Sequence, residues 1–587
     1  MRKRVFMATA VGAVAALGLA ACGGGGTGGS GGGGSATPAA DAAIGAIFNP
    51  SDTKGGTLKF AYSSEWDSLD PGNTYYGFSW DFIRLYERQL VMFKPGPGKE
   101  SQEIVGDLAE GKGVPSDGNK TWTYKLKSGL KFDDGTPITS KDVAYGVLRA
   151  TDKTVFPNGP TYFGDVLALP DGWKGPFTTP NLDASQAIQT PDDRTIVFKL
   201  KQAIGQFDQL AQLPDTSPVP KAKDTGAKYQ ESIVATGPYK FESYTSGKSF
   251  ALVRNPNWDP ATDPNRKALP DRIEVSLNVE ANDIDNQILA GTLDVDVAGT
   301  GVQAAALPTI LGNPDNKART DNPSTPRLWF TSVNPQIAPL DNVECRRAIL
   351  YAADKKVYQS ALGGDVAGGD IATTVIPPLV PGYEKADLYP SGPNQTGDLD
   401  KAKESLAKCG QPNGFETSIS YRNERPKEKA VAEGLQQALG RVGIKLNLKG
   451  FPAGGYFSQY AGLPPFARAQ GLGLVVNGWQ SDWNDPYAFL QQMVDSRVIR
   501  ETGGSNNISV RIPEVDQMLD QMLSSTDQNQ RLDLAKKIDA KVLEQAEILP
   551  GVYAKALLLR GQKLTNVYYN EQYGMYDYTA LGVASNQ

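Results

Sequence analysis

The chain has 587 residues, with 59 Lys and Arg against 65 Asp and Glu, for a formal net charge of −6. That length exceeds one ordinary domain, and the acidic balance argues against nucleic acid as the main partner. The sequence contains no histidine, which excludes Ser-His-Asp and Cys-His catalysis and His-ligated zinc. Carboxylate-only chemistry, such as glycoside hydrolysis, stays open.

The first residues have the features of a secretory signal. Residues 1–4 are basic, residues 5–19 are apolar, and small residues precede Cys22. The pattern resembles a bacterial lipobox, which predicts a signal peptide over 1–21 and a lipidated Cys22 that anchors the protein outside the cell membrane. A short transmembrane anchor or an ordinary signal peptide are the alternatives. The Gly/Ser-rich stretch that follows predicts a flexible tether over 22–54.

The first predicted strand is followed by an aromatic loop. Residues 55–62 alternate apolar and polar side chains after a glycine start, which indicates a strand. A polar-aromatic loop then leads into a predicted helix over 81–90. A loop between strand and helix is where α/β domains present ligand-binding groups. Tyr75 and Tyr76 are therefore candidate pocket residues, although both could equally belong to the core.

Two further stretches predict regular structure, a helix in the first and a strand, helix and strand in the second. Thr139 is a suitable N-cap for a helix over 140–150. Later in the chain, residues 417–421, 427–442 and 444–448 alternate strand, helix and strand patterns, and this order predicts a parallel sheet flanked by helices.

One aromatic and acidic stretch is the strongest candidate for a ligand site. The apolar residues 475–476 indicate a buried strand, and Gly478 is expected to release that strand into a loop. In this loop Trp479 and Trp483 flank Asp482. A carboxylate beside indole faces can receive a cation through charge-assisted hydrogen bonds and cation–π attraction. The alternative is that the indoles are core and the carboxylate is solvated.

The two cysteines that remain after Cys22 are candidates for a disulfide. Outside the cytoplasm thiols are oxidised, so Cys345 and Cys409 are expected to form a bridge. Two buried free thiols are the alternative.

Several segments stand in an order and spacing typical of one protein family. They are residues 126–143, 235–241, 252–258, 342–354 and 442–446. Together they resemble the family 5 extracellular solute-binding proteins, the oligopeptide and dipeptide receptors of bacterial ABC importers, and the resemblance covers roughly residues 55 to 585. The histidine usual in the family's signature is Asp133 here.

The resemblance implies an α/β, two-lobed periplasmic-binding-protein-like fold of the type II, cluster C-like kind, with an extra domain inserted in the first lobe. Mapped onto this chain, lobe I would comprise 55–95, 226–325 and 553–587. The inserted domain would comprise 96–225, and lobe II would comprise 326–552.

The resemblance also assigns roles within the site. An Asp at the position of Asp482 pairs with the α-ammonium of a bound peptide in peptide-binding members. The backbone of Gly478 and Gln480 would hold an extended peptide as an added strand. No family motif fixes the residue that binds the ligand's carboxylate. Because a carboxylate needs Arg or Lys, Arg422 at the end of a lobe II strand is the candidate, with a solvated Arg as the alternative.

The expected function is therefore that of a monomeric, lipid-anchored receptor, which captures short peptides by hinge closure and delivers them to an ABC transporter permease. It needs no cofactor or metal and has no catalytic residues. The same fold with a non-peptide solute, such as a sugar or a chelated metal, is one alternative. A secreted carboxylate-dependent hydrolase is a more remote one.

Overall fold

The computed structural model describes residues 39–504 and 506–584, so Cys22 and the predicted signal peptide lie outside the described residues. The described chain is a two-lobed α/β protein built around three larger sheets. Within these residues, no helix is both long and apolar enough to cross a membrane.

The first sheet, called here the lobe I sheet, has five strands. Strand Thr57–Ala61 pairs in parallel with both of its neighbours, and a hairpin extends the opposite edge of the sheet in antiparallel fashion. In spatial order the strands are Val295–Asp296, Thr57–Ala61, Arg272–Ser276, Ser249–Arg254 and Tyr239–Thr245.

The second sheet, called the insert sheet, is antiparallel and has four strands from the predicted inserted domain. Its inner face buries aromatic side chains, including Trp122 and Phe198. The strands are Val114–Ser116, Thr121–Lys125, Thr195–Lys199 and Ile188–Asp192.

The third sheet, called the lobe II sheet, has six strands and carries the candidate site. The predicted parallel pairing of Glu416–Arg422 with Lys445–Phe451 is confirmed, with helix Pro426–Gly440 as the crossover. Glu416–Arg422 also pairs in parallel with Leu472–Gln480, and the three pairs beyond that strand are antiparallel. In spatial order the strands are Gly369–Ile371, Ile548–Lys555, Ser324–Val333, Leu472–Gln480, Glu416–Arg422 and Lys445–Phe451.

Short two-stranded pairs complete the β structure, and helices pack on the sheets. The pairs are Val91–Phe93 with Ile104–Gly106, Thr320–Asp321 with Leu558–Leu559, Leu564–Thr565 with Gly582–Val583, and Tyr569–Asn570 with Met575–Tyr576. The main helices are Gly77–Ile83, Ser140–Ala150, Ala281–Ala290, Val343–Ala352, Lys355–Ala361, Leu399–Lys408, Pro426–Gly440, Pro464–Gln470, Pro486–Val494, Pro513–Ser524 and Gln528–Glu544.

Local capping explains where several helices begin and end. Thr139 forms a capping box with Asp142 at the start of Ser140–Ala150, as predicted. The helix predicted over 81–90 instead spans Gly77–Ile83. Beyond it, the backbone N–H of Arg88 bonds to the Thr236 hydroxyl at 2.8 Å rather than to a helical carbonyl.

Residues 343–362 have apolar side chains at helical spacing throughout, yet they form two helices, Val343–Ala352 and Lys355–Ala361. Ala353 is extended, and Asp354 caps the second helix by accepting from the backbone N–H of Val357 at 2.8 Å. An Asp side chain that satisfies the first-turn N–H groups starts a new helix there. Hydrophobic periodicity alone did not show this break.

The predicted tether over 22–54 is wrong for its described part. From residue 39 onward the chain packs on the body. The backbone N–H of Ala43 bonds to Asp321 at 2.9 Å, and the Arg560 guanidinium lies 4.4 Å from the centre of the Phe48 ring. Ala43 is fully buried. The Gly/Ser composition that supports a tether ends at Ser35, before these contacts begin.

The predicted domain limits remain a prediction. The limit at 95/96 separates the paired strands Val91–Phe93 and Ile104–Gly106. The limits at 325/326 and 552/553 fall inside Ser324–Val333 and Ile548–Lys555, which pair with each other in the lobe II sheet. A sheet is one packed unit, so both limits would move outward by a few residues.

The disulfide between Cys345 and Cys409 is present, with the two Cα atoms 5.4 Å apart. Cys345 lies on the first turn of helix Val343–Ala352 and Cys409 directly follows helix Leu399–Lys408. The bridge therefore joins two helices that pack on the lobe II sheet.

Reduction of this bridge is expected to lower the free energy of unfolding by about 4 kcal/mol, since it closes a loop with a sequence separation of 64. Urea unfolding with and without reductant would measure the loss. Alkylation of both cysteines in native, unreduced protein would contradict the bridge.

Candidate functional site

The candidate site lies between the two lobes, around the loop that joins strand Leu472–Gln480 to helix Pro486–Val494. Asp485 fixes the end of this loop. Its side chain caps the helix by accepting from the backbone N–H of Tyr487 at 2.8 Å, and Arg531 donates to both of its oxygens. The loop that carries Asp482 is thus held at both ends by regular structure.

The carboxylate of Asp482 meets two tyrosines from distant parts of the chain. Its Oδ2 atom accepts from the Tyr75 hydroxyl at 2.7 Å and from the Tyr162 hydroxyl at 2.6 Å. Tyr75 precedes helix Gly77–Ile83 beside the lobe I sheet, and Tyr162 belongs to the predicted inserted domain. One carboxylate therefore joins lobe II to both other parts of the fold.

This carboxylate has no compensating opposite charge among the residues that the structure describes. Among residues 39–504 and 506–584, no lysine or arginine forms an ion pair with Asp482. Burial raises the pKa of Asp482 to about 7, while the hydroxyls of Tyr162 and Tyr75 act in the opposite direction. The side chain is half-buried. It can therefore receive a cationic group from outside the chain.

A cavity of about 100 Å³ opens beside Asp482. The predicted site residues that line it are Tyr75, Tyr76, Arg422, Gly478, Trp479, Gln480 and Asp482. Trp483 does not line this cavity. Its indole packs instead on the Tyr162 ring, with ring centres 5.2 Å apart, because the loop turns it toward the inserted segment.

The predicted aromatic residues brace the cavity. The indole N–H of Trp479 donates to the Phe489 carbonyl at 2.8 Å, and its ring meets the edge of Tyr75. Tyr75 also stacks on Trp80, with ring centres 5.2 Å apart. The Tyr76 hydroxyl donates to the Ala453 carbonyl at 3.2 Å. These side chains pack in the hydrophobic core and also line the cavity.

Gly478 has a different role from the predicted one. The strand continues through it to Gln480, so Gly478 does not end the strand. A Cβ atom at this position would lie 2.4 Å from the Trp329 ring, which faces Gly478 across the sheet. The glycine is required for that close approach and not for a turn.

Arg422 lines the cavity, but its guanidinium is already paired. Its Nε donates to both carboxylate oxygens of Glu428 at 2.9 Å. Although burial opposes the charge, Glu428 keeps the pKa of Arg422 above its usual value. The prediction that Arg422 alone receives the ligand's carboxylate therefore needs correction.

A second arginine is better placed to bind an anion. Arg327 lines the same cavity, and among the described residues no carboxylate forms an ion pair with it. Burial, together with the charges of Arg425 and Arg422, lowers the pKa of Arg327 to about 10. In the strand register Arg327 lies opposite Gln480. Gln480 in turn precedes Asp482 by two positions in the sequence. The cavity thus offers a free anion and a free cation.

Sequence reasoning missed Tyr162, Arg327, Asn506 and Gln572, which all contact or line the site. Gln572 donates from Nε2 to the Asp482 carbonyl at 3.0 Å. None of the four lies in a motif that suggests ligand binding. Arg327 stands within strand Ser324–Val333, and only its register against Gln480 indicates its role.

Substitution of Arg422 and of Arg327 would distinguish an arginine that stabilises the fold through an ion pair from one that has no carboxylate partner. Arg422→Met is expected to lower the free energy of unfolding by about 3 kcal/mol, because buried Glu428 loses its principal partner while Arg425 stays near. Arg327→Met should cost little or stabilise, because no buried carboxylate is left unpaired. Urea unfolding of the ligand-free protein would measure both. Equal losses would contradict the assignment of Arg327 as the free cation.

Comparison with known proteins agrees with this geometry. The model of the bacterial extracellular solute-binding proteins, family 5 Middle, matches residues 103–500. The probable D,D-dipeptide-binding periplasmic protein of Escherichia coli (strain K12) is 26% identical over 507 residues, covering 84% of this chain and 86% of the relative. The oligopeptide-binding protein of Bacillus subtilis (strain 168) is 25% identical over 532 residues, covering 88% and 91%.

Solved structures agree as well. The clavulanic acid biosynthesis oligopeptide binding protein 2 is 42% identical, with a TM-score of 0.84 and coverage of 94% of this chain and 99% of that one. A peptide-bound periplasmic binding protein from Helicobacter pylori is 20% identical with a TM-score of 0.73 over 91% and 99% of the two chains, which shows the shared fold. This chain belongs to the bacterial extracellular solute-binding proteins of family 5, and it is a binding protein and not an enzyme.

Proposed function

We propose that the protein captures short peptides outside the cytoplasmic membrane and delivers them to the permease of an ABC importer. The names of its peptide-binding relatives support this function. The lipobox-like sequence that ends at Cys22 supports a lipid anchor. Hinge closure of the two lobes over the ligand would present the loaded form to the permease.

The observation that carries the proposal is the uncompensated carboxylate of Asp482. Buried charges normally have an opposite charge or several hydrogen-bond donors. This one has two tyrosine hydroxyls and an open cavity beside it. A peptide's α-ammonium supplies the missing charge.

A cationic side chain in the same cavity supports a zwitterionic ligand. Arg327 has no carboxylate partner in the described chain, and Arg425 lines the same cavity. Arg425 also contacts Glu428 at 3.5 Å, so its charge is partly used. Arg327 is the group that would receive the ligand's carboxylate, through the bidentate geometry that guanidinium groups favour.

The alternatives fit this cavity less well. A neutral sugar would leave both Asp482 and Arg327 unpaired. Glycoside hydrolysis requires two carboxyl groups that face each other, and Asp482 is the only acidic residue among the described residues that line the cavity.

Asp482→Asn is expected to weaken binding of a peptide with a free α-ammonium at least tenfold. Removal of one partner of a desolvated charge pair costs about 2–5 kcal/mol. Calorimetric titration of both proteins with the same peptide would measure the change.

The matched control is the same peptide with an acetylated N-terminus, for which the two proteins should differ little. Asparagine can still accept from Tyr75 and Tyr162, and the raised pKa of Asp482 means that its charge opposes folding above its unfolded pKa. The variant should therefore be no less stable at pH 7.5. Unchanged affinity for the free peptide would refute the assignment.

The affinity should also depend on pH. The pKa of Asp482 is about 7 without ligand, and an ammonium favours the ionised form. Affinity should therefore rise by up to about tenfold per pH unit from pH 5 toward 7. It should fall again as the ligand's α-amine, with a usual pKa of about 8, loses its proton. Equal affinities at pH 5.5 and 7.5 would contradict this linkage, and Asp482→Asn should remove the acidic limb.

A further inference from the structure

The chain crosses between the lobes at two segments that lie side by side. On one side, the short paired strands Thr320–Asp321 and Leu558–Leu559 belong to lobe I. On the other side, the same two stretches of chain continue as neighbouring strands of the lobe II sheet. Residues 322–323 and 556–557 lie between. A change in the angle between the lobes must be taken up at these few residues.

The first of these crossings is restrained at three successive points. Pro323 has a fixed φ, and Asn322, which precedes it, is restricted to extended conformations. The backbone N–H of Asn322 donates to Oδ1 of Asp41 at 2.8 Å. This bond holds the peptide plane between Asp321 and Asn322. The side chain of Asp41 therefore limits the rotation that proline leaves to this crossing.

Asp41 belongs to residues 39–48, called here the hinge clasp, which pack on lobe I. The backbone N–H of Asp41 donates to the Thr320 carbonyl at 2.8 Å. The backbone N–H of Ala43 donates to Oδ1 of Asp321 at 2.9 Å. Both acceptors stand directly before the crossing, so the clasp is attached to the lobe I side of the hinge.

One buried guanidinium secures the hinge clasp. Arg560 donates from Nη2 to the Ala39 carbonyl and from Nη1 to Oδ1 of Asp321, both at 2.6 Å. The same guanidinium lies 4.4 Å from the centre of the Phe48 ring. Arg560 is 1% exposed. Because these contacts are buried within lobe I, the clasp is expected to stay there whether the lobes are open or closed.

Asn322 bonds to both lobes at once. Its backbone N–H reaches Asp41 on lobe I, and its side-chain Nδ2 donates to the Val366 carbonyl at 2.8 Å. Val366 lies in the short helix Gly364–Ala367, which leads into the first strand of the lobe II sheet. Rotation of lobe II moves Val366 relative to Asp41. Both bonds are therefore satisfied together only near the lobe orientation in which Asp482 contacts its two tyrosines.

We propose that the hinge clasp favours the closed form of the protein, and that it acts through the bond from Asn322 to Asp41. Asp41 does not line the cavity, so it is a positioning residue that affects ligand retention through the hinge. A restraint made fully only in one of two conformations shifts the population toward that conformation. The inference concerns lobe closure and does not depend on which ligand the cavity takes.

The backbone at Asp41 permits a well-matched pair of substitutions. Its φ is 59°, in the left-handed region that Gly and Asn adopt readily. Asp41→Gly removes the acceptor, and Asp41→Asn keeps an oxygen in its place, so neither variant strains the backbone. Asp52→Ala is a second control, because Asp52 is exposed and contacts Lys267 away from the hinge.

Hydrogen exchange and X-ray scattering of the full chain without ligand test the inference. In Asp41→Gly, the amide hydrogen of Asn322 should exchange about three- to tenfold faster, as expected for the loss of one hydrogen bond. The radius of gyration should increase in this variant alone, since the open form becomes more populated. Equal radii in all four proteins would overturn the inference, even if exchange at Asn322 were faster.

A ligand provides a second readout, which rests on the proposed function. Calorimetric titration with Ala-Ala-Ala should show about two- to fivefold weaker binding to Asp41→Gly and unchanged binding to Asp41→Asn. Equal affinities of these two variants would contradict the role of Asp41 in ligand retention. If Ala-Ala-Ala binds to none of the proteins, the result counts against the proposed function, and exchange and scattering still decide on the hinge clasp.

Discussion

The site depends on one carboxylate that the protein buries without an opposite charge. Some other buried acids in the described chain have a cationic partner. Asp107, for example, receives the guanidinium of Arg266 and lies fully buried. Asp482 receives two neutral hydroxyls instead, from Tyr75 and Tyr162. Since an ion in a low-dielectric site is costly unless it is paired, this arrangement disfavours the empty site and favours one that holds a cation.

Local signals predicted much of the fold because they act within a few residues. The capping box of Thr139 and Asp142 fixes helix Ser140–Ala150 without help from the rest of the chain. The break at Asp354 could not be found from periodicity, since the apolar stripe continues across it. The packing of residues 39–54 also escaped prediction, because the partners of this segment lie hundreds of positions away.

Local sequence signals also predicted part of the site. Asp482 stands out because indoles flank it within the loop. Tyr162 lies 320 positions from its partner Asp482, and only the folded chain joins them. Gly478 was misinterpreted because glycine signals both a turn and a close approach, and only the position of Trp329 decides between them. Arg327 resembled any polar strand residue until the register placed it beside the cavity.

The contacts that join the lobes explain how a ligand would control closure. Arg425 reaches the Tyr62 hydroxyl at 3.4 Å, and the Lys427 ammonium reaches the Thr300 carbonyl at 3.3 Å. These bonds pair charges with neutral groups, so each contributes modestly. Asp482 and Arg327 are half-buried, and neither has an ion-pair partner among the described residues. A ligand shifts a conformational equilibrium only by binding one state better than the other. Asp482 and Arg327 both belong to lobe II, so under the proposed function a zwitterion would bind this lobe first, and closure would then enclose it against Tyr75 and Tyr76 of lobe I.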